Sequence, residues 1–98
     1  MNGYKRIEWA RRVLGLGEMA DLDDIKRAYR ELARKSHPDI CPELTEEECD
    51  SKFKEATRAR DILMEYIRVY RFIFSEEEYK RHLGPEELEL FDHFWEDW

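Results

Sequence analysis

The chain has 98 residues, enough for one small domain; 42% of them are apolar, 42% are charged, and the formal net charge is −7. An acidic chain is a poor general binder of nucleic acid, and no apolar run approaches the roughly 20 residues that a bilayer-spanning helix needs. The charge is unevenly spread: residues 1–38 hold nine Lys and Arg against six Asp and Glu, whereas the remainder holds eight against eighteen. The one basic surface therefore suits an acidic patch on another protein.

Only three prolines and four glycines punctuate the chain, and no Ser- or Gly-rich stretch offers a linker. Helix formers dominate and alternating Val, Ile and Thr are missing, so an all-α fold is expected. The N-terminal Met1-Asn2-Gly3-Tyr4-Lys5-Arg6 has basic residues with no apolar signal core behind them, which implies a soluble cytoplasmic protein. Cys41 and Cys49, in or beside one polar loop, are then expected as free thiols. Together with His37 they fit no zinc spacing, so neither metal nor cofactor is expected. No phosphate loop, nucleophile–base pairing or paired carboxylates stand out, and the chain does not read as an enzyme.

In chain order, Ile7, Ala10, Val13 and Leu14 recur at helical spacing and predict a short first helix over about 4–13, with Gly15 as a left-handed stop. Asp21 is an N-cap candidate, with Asp23 and Asp24 in the first turn of a second helix that runs to about Lys35. Its apolar positions Ile25, Ala28, Tyr29, Leu32 and Ala33 fit one face of a helix, and Pro38 ends it before His37. A polar loop follows to about Glu47.

A third helix is expected from near Glu48, with one stripe of Phe53, Ala56, Leu63, Ile67, Tyr70 and Phe74 broken only by Arg60. A second stripe of Ala59, Ile62, Tyr66, Val69 and Ile73 lies beside it. Unbroken to Phe74, this helix outreaches the second and leaves an aromatic end in need of cover. Ser75-Glu76-Glu77-Glu78 is a capping box that opens a fourth helix, closed by Gly84. Pro85 suits the first turn of a fifth helix. Its Phe91, Phe94, Trp95 and Trp98 are expected to cover the overhanging end of the third helix.

The helical hairpin with His37-Pro38-Asp39 between its arms resembles the J domain of the DnaJ co-chaperone family. The likeness covers roughly residues 10–65. It rests on Leu14-Gly15, the run from Ile25 to Ala33, the His-Pro-Asp triplet, and Lys52-Phe53-Lys54-Glu55-Ala56. It implies a J-domain antiparallel hairpin within residues 1–74, preceded by a short helix and followed by a C-terminal helical extension, 75–98, packed on or next to it. It also implies docking on a DnaK-type chaperone and stimulation of its ATP hydrolysis. Carried over by position, Lys26, Arg30, Arg34 and Lys35 would be the docking cations, and His37, Pro38 and Asp39 the trigger.

Glu31 stands where many relatives carry a basic residue, and Ile40-Cys41 replaces the usual Arg-Asn start of the loop. A rival reading is therefore a J-like scaffold that holds a partner or client protein through Phe91, Phe94, Trp95 and Trp98 without activating a chaperone. An acidic tail folding back on the second helix is a further possibility raised by charge alone. Nothing in the sequence demands more than a monomer.

Overall fold

The computed structural model describes residues 2–37, 39, 41 and 45–94. Pro38, Ile40, Trp95 and Trp98, which carry some of the expectations above, lie outside the described residues. Within them the chain is all-helical: α1 (Gly3–Val13), α2 (Leu22–Ser36), α3 (Glu46–Val69), α4 (Glu76–His82) and α5 (Pro85–Phe94). No helix is long and apolar enough to cross a membrane.

Local chemistry sets each boundary. The Asn2 side chain accepts the Lys5 N–H at 2.8 Å and starts α1. At the other end Gly15 takes φ +71°, the left-handed conformation that a side chain resists. The Gly15 N–H then reaches the Arg12 carbonyl at 3.0 Å, and the Leu16 N–H reaches the Arg11 carbonyl at 2.8 Å. That pair of bonds is a Schellman stop, and it turns Leu16 back onto the core. Asp21 and Asp24 cap α2 reciprocally, each side chain accepting the other's backbone N–H. Thr45 caps α3 by accepting the Glu48 N–H, so the helix begins at Glu46, two residues earlier than the sequence suggested.

The core lies where α1 and α2 both pack on α3. Ala10, Leu14, Ile25, Ala59 and Leu63 form its buried centre, with Val13, Tyr29, Leu32 and Ile67 packed around them. Ala10 and Ala59 are wholly buried, and side chains this small let helix axes approach closely. Across the α2–α3 seam, Tyr29 meets Thr57 while His37 meets Phe53. Ascending numbers on one helix face descending numbers on the other, so the hairpin is antiparallel.

Arg60, the interruption in the α3 stripe, has a positive reason. Its guanidinium carbon sits 4.3 Å from the centre of the Tyr29 ring while the Tyr29 hydroxyl lies 3.2 Å from Thr57 Oγ1. The cation covers the ring face and keeps its charge at the surface, paired with Asp61.

The C-terminal third departs from expectation. α3 stops at Val69, and the chain runs without helical structure from Tyr70 to Ser75 instead of continuing to Phe74. At 1.5 Å per residue α3 still reaches about 36 Å against about 22 Å for α2, and at its final turn Tyr66 and Val69 are exposed. Helix propagation there loses packing support, and Ser75 adopts the extended geometry of an N-cap for α4.

Among the described residues, the C-terminal aromatics Phe91 and Phe94 are not buried against this end. Phe72, Ile73 and Phe74 are exposed, Phe74 almost completely, and neither α4 nor α5 buries a residue. The two short helices touch each other through the Tyr79 and Phe91 rings and a hydrogen bond from the Tyr79 hydroxyl to Asp92. Gly84 also has a different role from the expected stop: its carbonyl accepts the Leu88 N–H and begins α5.

Two predictions follow from these boundaries. Nothing lies within 4 Å of a Cβ built on Gly15, so Gly15→Ala meets only backbone strain. It is expected to cost about 1 kcal/mol, or roughly 4–8 °C in melting temperature, as read by calorimetry. For Tyr79, desolvation and then the bond to the Asp92 carboxylate hold the phenol above its ordinary range. A raised folded value means that the contact contributes fully below the ordinary phenol pKa and is lost as pH climbs through the higher one. NMR titration of the Tyr79 ring is expected to show that value falling in Asp92→Asn.

Candidate functional site

The outward face of α2 carries the basic charge. Its polar positions fall on the side opposite Ile25, Ala28 and Leu32, which are held against the rest of the domain. At roughly 100° per residue, Lys26, Arg30, Arg34 and Arg27 occupy one outward arc, with Glu31 at its edge and Lys35 on the flank. All six side chains are exposed.

Arg27 was not among the docking cations read from the sequence. A helical projection places it between Arg34 and Glu31, and that position was available without a structure. Arg27, Arg30, Glu31 and Arg34 line one shallow depression. Arg27, Glu31 and Lys35 border a second, with Leu14, Leu16 and Met19 on its other wall.

These cations are not consumed within the fold. Among the described residues no ion pair engages Lys26, Arg27, Arg30, Arg34 or Lys35. By contrast Lys80, Arg81 and His82 of α4 are all held by Glu76, Glu77 and Glu78. Five uncommitted positive charges on one exposed helix provide long-range attraction for an acidic surface, and this acts on encounter more than on final affinity.

α2 delivers this surface to the His37–Asp39 turn. Ser36 is buried, and its hydroxyl donates to the Leu32 carbonyl at 2.7 Å, tightening the last helical turn. His37 is extended, at φ −63° and ψ 132°, as expected for a residue before proline. Its ring stands edge-on to Phe53 of α3, with centroids 6.0 Å apart and planes at 88°.

The Asp39 backbone N–H donates to His37 Nδ1 at 3.2 Å. That bond requires Nδ1 to accept, which puts the ring proton on Nε2. The Asp39 carboxylate lies farther from Nδ1, at 3.6 Å, so the backbone bond is the contact that defines the turn. The same carboxylate is 86% exposed and faces solvent. His37 and Asp39 are thus brought together as the sequence implied, while Pro38 between them lies outside the described residues.

Behind the turn the structure corrects the cysteines. Cys41 and Cys49 are joined by a disulfide, with Cα atoms 6.3 Å apart, and are not free thiols. The separation lies within the range such a bond requires. An argument from compartment could not reveal that Cys41 lies against Cys49 in the first turn of α3. Closing so short a loop stabilises the fold by roughly 2–3 kcal/mol in the chain-entropy model.

A short helix and an antiparallel hairpin, with cations along the second helix and a His-Pro-Asp turn at its end, define the J-domain class. A family model of the DnaJ domain matches residues 12–68, more than half of the chain, and the chain belongs to that family. The chain is similar to the chaperone protein DnaJ of Desulfitobacterium hafniense (49% identity over 60 residues, 61% of this chain and 15% of that protein). Similarity extends to DnaJ of Brevibacillus choshinensis (53% over 53 residues, 54% and 13%) and to DnaJ 1 of Synechocystis sp. (56% over 52 residues, 53% and 13%). The matched segment spans about 15% of the length of the first of these relatives. No solved structure matches the chain.

Phe53 supports His37 through its ring edge, so Phe53→Leu should keep the helices yet free the imidazole. The expected loss of stability is about 1 kcal/mol. The His37 ring protons should move toward their unstructured chemical shifts in an NMR spectrum.

Proposed function

We propose that this protein is a co-chaperone that docks on a DnaK-type ATPase and accelerates its ATP hydrolysis. The observation that carries the reading is one continuous surface. The uncommitted cations of α2 lead directly into a turn in which His37 is held by Phe53 and Asp39 faces solvent. Lys26, Arg27, Arg30, Arg34 and Lys35 would steer an acidic face of the ATPase onto α2. His37, Pro38 and Asp39 would then reach the groups that control hydrolysis, with the Asp39 carboxylate suited to a charge-assisted bond with an arginine. Residues 1–74 would be the working J domain and 75–98 an appended helical extension. Such a partner implies a cytoplasmic setting, with the protein acting as a monomer that binds neither nucleic acid nor membrane. The protein itself would catalyse nothing.

A second reading is favoured by a specific observation, the exposed apolar surface of Phe72, Ile73 and Phe74. A J-like scaffold would use these, with Trp95 and Trp98, to hold a client protein without activating a chaperone.

Single-turnover ATP hydrolysis by a DnaK-type chaperone separates the two. Co-chaperone action predicts stimulation by the wild type and a loss of at least tenfold in His37→Gln. Arg27→Glu and Arg30→Glu should each raise the concentration needed for half-maximal stimulation several-fold, an effect that shrinks as added salt screens the surface. A folded wild type that gives no stimulation at low salt would favour the scaffold.

A further inference from the structure

The His37–Asp39 turn is attached to α3 at two places. Cys49 and Phe53 stand four residues apart on that helix and so share one face, about one turn from each other. Phe53 holds the His37 ring, and Cys49, itself 1% exposed, holds Cys41 through the disulfide. The five residues 37–41 could reach roughly 13 Å if extended, yet their ends are secured to points only about one turn apart. Asp39, midway in sequence between the anchors, has its carboxylate exposed and its N–H on His37 Nδ1. One anchor is a ring contact between partly exposed side chains. The other is covalent, and it is the one that chemistry can remove.

We propose that Cys41 and Cys49 form a reversible dithiol–disulfide site that holds the His37–Asp39 turn in its docking form and releases it on reduction. The reagent class is a small dithiol or a dithiol protein. Its thiolate attacks the sulfur of Cys41, the more exposed of the pair, forming a mixed disulfide and expelling the Cys49 thiolate, which takes up a proton. The second thiolate of the reagent then attacks its own sulfur in the mixed disulfide and expels the Cys41 thiolate, which is protonated in turn. The protein gains two electrons and two protons, and the reagent leaves as its own disulfide. The effect on the chaperone rests on the docking reading above; the effect on the turn does not.

The test compares the full chain after treatment with glutathione disulfide and after dithiothreitol. Mass spectrometry with an alkylating reagent should find no modifiable thiol in the first state and two in the second. NMR magnetisation transfer should show the Asp39 amide exchanging with water at least fivefold faster in the reduced protein, while amides within α1 and α2 are unchanged. Cys41→Ser/Cys49→Ser should behave as reduced under both conditions. Equal Asp39 exchange in the two states, or two modifiable thiols after oxidation, would overturn the proposal.

In the ATPase assay at subsaturating concentration, the oxidised protein should stimulate at least threefold more than the reduced one. Equal stimulation by both would also overturn the proposal. Stimulation by neither would count against the docking reading, and the exchange measurement would still decide the redox site.

Discussion

The close crossing of three helices at small residues is the constraint on which the rest depends. α3 receives α1 and α2 together, and it can do so because alanines stand where the backbones meet. Ala10, Ala56 and Ala59 are each almost completely buried. Replacing any of them by a larger side chain would push an axis outward and overpack the core. In so small a domain, a shifted axis would also move everything that axis presents.

What α3 presents is the site. Tyr29, whose hydroxyl meets Thr57 and whose ring face lies against the Arg60 guanidinium, fixes the rotation of α2 about its own axis. That rotation decides which residues face outward, and it turns Lys26, Arg27, Arg30 and Arg34 to solvent on one arc. Further along the same helix, Phe53 and Cys49 determine where the chain goes after α2 ends. One element thus supplies the floor of the core, the orientation of the basic face and the support of the following turn. The site itself has little burial of its own and borrows its rigidity from this helix.

Much of this was legible in the sequence, because local chemistry dictates it. The spacing of Ile25, Ala28, Tyr29 and Leu32 allows a single buried face, and Asp21 and Gly15 act within a few residues of themselves. The His-Pro-Asp triplet could be placed because helices flank it on both sides. The remainder was hidden for physical reasons. Whether α3 continues past Val69 depends on what lies under it, and periodicity records only that a face is apolar. The disulfide depends on Cys41 being brought beside Cys49 in three dimensions, and no spacing rule encodes that meeting. Thr45 and Arg27 belong to another class. The signature Thr45-Glu46-Glu47-Glu48 and the angular position of Arg27 were both readable, and closer attention to capping and to the helical projection would have found them.

The uncovered stretch from Tyr70 to Phe74 also bears on how copies of the protein behave in a crowded solution. Tyr66, Tyr70 and Phe72 form an edge-to-face series, and Ile73 and Phe74 extend it with exposed apolar surface. An extended apolar segment of this kind is a natural point of self-adhesion. The chain beyond residue 38 holds eight Lys and Arg against eighteen Asp and Glu and is strongly acidic as a whole. Like net charge makes approach of a second copy repulsive before the aromatics can touch. The net acidity of the chain therefore works against self-adhesion of this segment, and that repulsion fades as the net charge approaches zero near the sequence pI of about 5.0.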